Sequence, residues 1–292
     1  MVNMLRMDLY RLVRSKSLWI CLGITIVLAA LSIGMLGLIS SADFMQWAQS
    51  SGGSTSGGAI SVGVNNDATM SPAEIKQSVA EATAILSNST LMGMTGGSLV
   101  KGGTIALMFT IFLSIFLASE FESGYSKNVF TVQPNRFAFL GARLIEIALI
   151  AAFFIASSML AIAAASMAAG LELTTASAAD MLAWGALVTL LLTGYGMLTA
   201  FIIWLTRKMA AGIVAASVLV TGMLTMMLQA VFSLFPALSH VTDFTLYSCM
   251  QSLGGGLNVD GALSVAHVAG VGLAFVAVFA VLSIVVLQKK DV

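Results

Sequence analysis

Residues 120–136 read EFESGYSKNVFTVQPNR, a charged stretch that separates two apolar runs at 102–119 and 144–169. A helix needs about 20 predominantly apolar residues to cross the hydrocarbon core of a bilayer, and both neighbouring runs approach or exceed that length. The charged stretch is therefore predicted to be a loop between two membrane spans. The number of predicted membrane spans depends on how often such apolar runs recur along the chain.

Composition places the chain in the membrane class. Hydrophobic residues make up 59% of it and charged residues only 9%, with a mean hydropathy of +0.99. A soluble domain carries about 25% charged residues. We therefore predict an all-α integral membrane protein, a single transmembrane domain over residues 1–292. Its six predicted transmembrane helices are 17–40, 102–119, 144–169, 181–206, 210–235 and 263–287.

The distribution of basic residues predicts the orientation of these spans. Lys and Arg are enriched in cytoplasmic loops of membrane proteins. Only Lys76 and Lys101 lie on one side, so that side is predicted to be the outer one. Both termini and the loop 120–143 are then cytoplasmic. The basic residues of the cytoplasmic side are Arg6, Arg11, Arg14, Lys16, Lys127, Arg136, Arg143, Arg207, Lys208, Lys289 and Lys290.

Residues 1–16 have the pattern of an amphipathic interfacial helix. Apolar residues fall on one arc at helical spacing and basic residues on the opposite arc. Such a helix lies in the inner interface with its basic side chains toward lipid phosphates. The alternative is a disordered basic N-terminus that only sets the topology. The predicted membrane-interface residues are Arg6, Arg11, Arg14 and Lys16.

Two outer segments have features of their own. The outer loop 41–101 contains the capping-box sequence Ser71-Pro72-Ala73-Glu74, which predicts a helix at 72–87. This helix is expected to pack on the mouth of the bundle, with a gating or substrate-contacting role as the alternative. The half-apolar segment 236–262 before the last span is predicted to be re-entrant-like, against the alternative of a surface loop.

Several function classes find no support in the sequence. The net charge is zero and the bases are dispersed, so a nucleic-acid partner is not expected. Cys21 and Cys249 have no metal-ligand spacing, and the glycine-rich segment 96–101 lacks the Gly-Lys-Ser/Thr of a phosphate loop. No catalytic motif is recognisable. The chain is predicted not to be an enzyme and to hold no metal or cofactor.

The apolar runs carry no ionisable residue that must lie near the midplane. Glu146 lies one turn inside the third run, where it reaches the interface or pairs with Arg143. Ion-coupled transporters place such residues at the midplane, so an ion relay is disfavoured. Polarizable side chains in the fifth run are predicted to line an adaptable apolar path, with lipid-facing or packing roles as the alternative. These residues are Met223, Met226, Met227 and Gln229.

The loop 120–143 itself predicts a short cytoplasmic coupling helix. Residues 123–132 form a helical stretch that Pro134 ends. A rigid helix between two spans suits docking into a partner's groove, because a push on it moves both spans. From the charges alone, a solvated connector is an equal alternative.

The loop resembles that of permease subunits of bacterial type-2 ATP-binding cassette (ABC) exporters, the drug, bacteriocin and peptide class. In those subunits an acid, a Gly, a Lys-Asn pair and two later bases follow the second span. The matching residues here are Glu122, Gly124, Lys127-Asn128, Arg136 and Arg143. Tyr125 departs from the family pattern, which often has Thr at that position. The six-span plan with a basic amphipathic start and a long first outer loop also matches.

The resemblance implies a permease subunit in a bacterial plasma membrane. It would pair with a second permease copy or homologue and with two ABC ATPase subunits, which bind ATP and Mg²⁺. Glu122, Gly124, Lys127 and Asn128 would contact the ATPase, and Arg136 and Arg143 would set the loop at the interface. The uncharged interior suits an apolar or amphiphilic molecule or a peptide. The alternatives are a non-transporting membrane scaffold or sensor and an ion-gradient-driven transporter.

Overall fold

The computed structural model describes residues 2–39, 56–57, 60–61, 89–123, 136–171, 173–174, 176–232, 241–257 and 263–289. The predicted outer helix 72–87 lies outside these residues, and so do Gly124, Lys127 and Asn128 of the predicted coupling helix. The predicted re-entrant-like segment 236–262 is described at 241–257.

The described chain is helical almost throughout. Its helices are α1 (Val2–Arg14), α2 (Lys16–Ile39), α3 (Leu91–Thr95), α4 (Thr104–Glu122), α5 (Arg136–Ala168), α6 (Ala178–Thr206), α7 (Met209–Val220), α8 (Met223–Phe232), α9 (Leu246–Leu253) and α10 (Val265–Lys289). A π-helical turn, Gly96–Val100, continues α3. Two short strands, β1 (Ser56–Gly57) and β2 (Ile60–Ser61), pair antiparallel.

Five helices are long and apolar enough to cross a membrane: α2, α4, α5, α6 and α10. The pair α7 and α8 adds a sixth span if it counts as one bent helix. The described chain is therefore almost entirely helical, as predicted, and its five or six long apolar helices are consistent with a multi-pass membrane protein. We call the end of the bundle that carries α1 and the 120–143 loop the inner end, because the distribution of bases predicts it to be cytoplasmic.

Helix α6 lies at the centre of the bundle. In its apolar window 72% of residues are buried, against 22% in α10. It packs against α10, α5, α4 and α7, while α2 packs against α4 and α5. Ser177 caps its first turn by accepting a hydrogen bond from Asp180 N at 3.4 Å. It ends at Arg207, which adopts a left-handed conformation with φ 57°. The faces of α2 and α10 that are turned away from α6 carry exposed apolar side chains.

The fifth apolar run is broken, whereas the sequence predicts one span over 210–235. Helices α7 and α8 are bent by 51° at the break. Gly222 occupies the break with φ 74°, which L-residues with a side chain rarely adopt. A Cβ at this position would collide with the ring of Tyr247. The break therefore comes from a glycine turn held against the segment before α10, a contact that hydropathy does not report.

The helix that contains the third predicted span begins before that span does. The sequence assigned 120–143 to a loop, but α4 continues to Glu122 and α5 already starts at Arg136. Phe139, Leu140 and Ala142 are buried in this added part of α5. Because these apolar side chains pack inside the protein, the helix is stabilised beyond the membrane-spanning run.

The outer end of the bundle is built around α9. A Cβ on Gly96 would lie 2.5 Å from Gly254 O, so the two backbones touch directly. Gln251 Nε2 donates to Lys101 O at 2.6 Å, and Trp184 Nε1 donates to Leu253 O at 2.9 Å. Helix α9 lies inside the predicted segment 236–262, and its re-entry into the bilayer stays a prediction.

Candidate functional site: a buried charge cluster at the inner end

The two roots of the predicted coupling loop are ordered helix ends. Glu122 is exposed in the last turn of α4. Arg136 opens α5 half-buried, and its guanidinium donates to the backbone oxygen of Leu287 in α10. The structure thus leaves Glu122 accessible from outside the chain and fixes Arg136 to the last span.

Five ionisable side chains meet just inside these roots. Helix α1 brings an acid and a base, α4 brings an acid, and α5 brings a base and an acid. Asp8, Glu120, Arg143 and Glu146 are all at most 1% exposed. We call this group the charge cluster. Its members are Asp8, Arg11, Glu120, Arg143 and Glu146.

Arg143 lies at the centre of the charge cluster with no exposed surface. Its Nη2 is 2.8 Å from Glu120 Oε1 and 3.6 Å from Asp8 Oδ2. Its Nη1 donates to Glu146 Oε2, one turn further along α5. Its guanidinium also lies over the Phe139 ring, 5.2 Å from the centroid. One cation therefore faces acids from three different helices. The sequence suggested only one of these contacts, the pair of Arg143 with Glu146.

Arg11 supplies the second cation. Its Nη1 is 3.2 Å from Glu120 Oε1 and 3.7 Å from Asp8 Oδ1. The guanidinium stands 5.7 Å from the centroid of Phe116, on the same helix as Glu120. The sequence predicted that Arg11 faces lipid phosphates. In the structure its guanidinium contacts the buried carboxylates of Asp8 and Glu120, and a contact with lipid stays a prediction.

Burial makes the members of the charge cluster depend on one another. A charge removed from water is tolerated only with opposite charges and hydrogen bonds around it, and breaking a buried pair costs about 3–5 kcal/mol. Here three carboxylates share two guanidiniums. Arg143 Nε and Glu146 Oε1 are buried without a hydrogen-bond partner in the described part of the chain. The opposite charges are thus closely paired, but not every buried nitrogen and oxygen of Arg143 and Glu146 has a hydrogen-bond partner there.

The charge cluster joins α1, α4 and α5 into one unit next to the two loop roots. Glu120 lies two residues before Glu122, and Arg143 lies two turns after Arg136, so the ion pairs connect both loop roots with α1. Arg143 itself cannot touch a second protein, since it has no exposed surface. If it serves a partner interface, it acts as a positioning residue.

The predicted path-lining side chains lie on the outside of the single chain. Met223, Met226 and Met227 are 57%, 60% and 60% exposed, and Gln229 is exposed beside them. Thr225 is the buried residue of α8. One copy of this chain therefore does not enclose a path at these residues, and their role in a path between two copies stays a prediction.

The sequence did not predict that Asp8 is buried in the charge cluster. It is the only acid in α1, placed on a helix with three arginines. An isolated acid among bases is a weak signal, because it fits an exposed i, i+3 pair with Arg11 equally well. What the sequence could not supply was the approach of α1 to Glu120 and Arg143.

Among the described residues, no group of three His, Cys, Asp or Glu side chains is arranged to hold a metal ion. Comparison with known protein families finds no family that matches the chain, and comparison with curated proteins finds no match either.

Proposed function

We propose that the chain is the membrane permease subunit of a bacterial ATP-driven exporter in the plasma membrane. It forms the translocation path with a second permease copy or homologue and works with two separate ATPase subunits that bind ATP and Mg²⁺. The substrate is an apolar or amphiphilic molecule or a peptide. The loop residues that resemble the type-2 exporter family suggest this function, and the position of the charge cluster supports it.

The observation that carries the proposal is the link between the loop roots. Glu120 in the last turns of α4 and Arg143 in the first turns of α5 are 2.8 Å apart and buried. A partner that pushes on the loop between them moves two spans and α1 together, rather than bending one helix. A passive connector has no need of a buried ion pair behind it, since such pairs contribute little net stability.

The test is ATPase stimulation in a complex reconstituted from this chain and the ABC ATPase subunits that the proposal predicts. Glu122→Arg combined with Gly124→Arg reverses a charge and adds bulk at the predicted contact. We expect normal insertion but loss of the permease-dependent ATP hydrolysis. Asp180→Arg is the matched control, because it reverses one exposed acid at the far end of α6. Full stimulation by the Glu122/Gly124 variant would show that the coupling assignment is wrong.

The same preparation separates the two other function classes. A scaffold or sensor binds partners without ATP-dependent movement of substrate. An ion-gradient transporter keeps its transport when the ATPase is removed and loses it when the gradient collapses. Transport that requires ATP and ignores the gradient supports the exporter.

A further inference from the structure

Helix α1 divides its charges between two faces. Its only acid, Asp8, is buried in the charge cluster, and Arg11 is turned to the same side. Arg6 and Arg14 are exposed, and so is Lys16 at the start of α2. The charges of the inward face are therefore paired within the chain, while the charged residues of the outward face are all bases.

Exposed apolar and aromatic side chains accompany these bases. Met7, Tyr10 and Val13 are 44%, 61% and 56% exposed and share one arc of α1 at helical spacing. The Arg14 guanidinium lies over the Tyr10 ring at 5.2 Å. Trp19, 53% exposed, donates its indole N–H to Val13 O at 2.8 Å. We call this surface the basic arc, formed by Arg6, Met7, Tyr10, Val13, Arg14 and Lys16.

We propose that the basic arc binds the phosphate headgroups of anionic phospholipids, and that this binding holds α1 against Glu120 and Arg143. The leaflet composition then sets how firmly the charge cluster is assembled. The inference does not depend on export, since it concerns the contact of α1 with the bundle in any membrane protein of this structure.

Charge complementarity identifies the ligand. Three bases face outward and the one acid of α1 is occupied inside, so the basic arc has a positive charge that nothing on α1 compensates. Tyr and Trp favour the headgroup level, and amphipathic helices with bases bind anionic surfaces. A zwitterionic lipid offers a phosphate together with its own cation, and thus a much weaker attraction.

The expected size follows from the charges. Each base near an anionic surface contributes about 1 kcal/mol, which makes two bases worth about a 30-fold change in an equilibrium constant. Screening by salt acts over about 8–10 Å, so the effect falls as salt rises.

The test measures the opening of α1 as cysteine accessibility. Leu12 is 6% exposed on the inward face, so Leu12→Cys reacts with a water-soluble maleimide only when α1 leaves the bundle. Cys21 and Cys249 are replaced by alanine. The variant is reconstituted into phosphatidylcholine vesicles with or without phosphatidylglycerol. We expect Leu12→Cys to be labelled more slowly in vesicles that contain phosphatidylglycerol, by up to about 30-fold. This difference between the two kinds of vesicle should be lost in Arg6→Gln/Arg14→Gln.

Lys208→Gln/Lys289→Gln is the matched control, because it also removes two exposed bases predicted to be cytoplasmic. It should keep the lipid dependence. Equal labelling in both membranes, or an unchanged lipid effect in Arg6→Gln/Arg14→Gln, would overturn the proposal. The apparent Tm of the unlabelled protein provides a second measurement. Added phosphatidylglycerol should raise the Tm more than added phosphatidylcholine does. This difference should vanish in Arg6→Gln/Arg14→Gln. A wild-type Tm that responds equally to both lipids would also overturn the proposal.

Discussion

At the inner end of the bundle, charged side chains from α1, α4 and α5 meet with Arg143 in their centre. At the outer end, α9 meets the π-helical turn and α6 through glycine backbone and neutral donors. There a Cβ on Gly96 would lie 2.5 Å from Gly254 O, and Trp184 donates to Leu253 O. Ion pairs thus hold the helices together at one end of the bundle, and close packing of the backbone holds them together at the other.

The difference predicts which end tolerates movement. The ion pairs of the charge cluster keep α1, α4 and α5 together when these helices move as one unit, because Coulomb attraction falls only gradually with distance. A backbone contact between glycines is lost or becomes a clash as soon as either helix shifts, because packed interiors are not continuously deformable. We therefore expect the inner end to rearrange while the outer end acts as the fixed part.

The largest expected effect is at Arg143. Arg143→Met leaves Glu120, Asp8 and Glu146 buried without their central cation, so we expect a loss of about 3–5 kcal/mol in the free energy of unfolding. The measurement is the apparent Tm in detergent. Lys208→Met, which removes an exposed base, serves as the control and should leave the Tm nearly unchanged.

A second substitution shows whether charge is the cause. Adding Glu120→Gln to Arg143→Met removes one of the uncompensated acids, so part of the lost Tm should return. A double variant that is as unstable as the sum of both single variants would contradict the view that Glu120 and Arg143 depend on each other.

The next effect is at the outer end. Gly96→Ala places a methyl group against Gly254 O, and overpacking of this kind costs about 1–3 kcal/mol. Gly97→Ala is the matched control, since its Cβ would keep 3.9 Å from the same oxygen. The comparison of their apparent Tm values isolates the clash from the change in helix propensity. Equal Tm values would show that the outer end is as adaptable as the inner one.

The sequence predicted most of the long apolar helices, because the hydropathy of each segment can be read from that segment alone. The predicted spans 17–40, 181–206 and 263–287 appear as Lys16–Ile39, Ala178–Thr206 and Val265–Lys289. The break at Gly222 and the early start of α5 at Arg136 were missed. Both depend on packing against distant residues, which composition does not encode.

Of the contacts in the charge cluster, the sequence predicted only the one that lies within a single helix. Arg143 and Glu146 are three residues apart, so their pairing follows from helical spacing. Asp8 and Glu120 lie far apart in sequence and meet Arg143 only through tertiary structure. The assignment of Glu122, Gly124, Lys127 and Asn128 to partner contact rests on resemblance and stays a prediction.

A smaller effect is expected at Trp184. Trp184→Phe removes the indole N–H that donates to Leu253 O, but this oxygen also accepts from Gly256 N at 3.1 Å. The lost hydrogen bond should therefore cost only about 1 kcal/mol, and the cavity left by the smaller ring at this fully buried position adds to that cost. Trp19→Phe removes an exposed indole donor at the inner end and should cost less, since water replaces it. The two Tm shifts, measured in parallel, should differ in this order; the reverse order would contradict a closely packed outer end.

The smallest expected effect concerns the thiol of Cys249 in α9. Cys249 has no exposed surface, and burial raises the pKa of its thiol to about 12. Because the thiolate is the reactive form, it stays rare both at pH 7 and at pH 9. Maleimide should thus leave Cys249 unlabelled at both pH values in Cys21→Ala protein and modify it after denaturation, as mass spectrometry would report. Labelling of the native protein that rises with pH would mean that α9 opens to solvent, and the outer end would then be the mobile one.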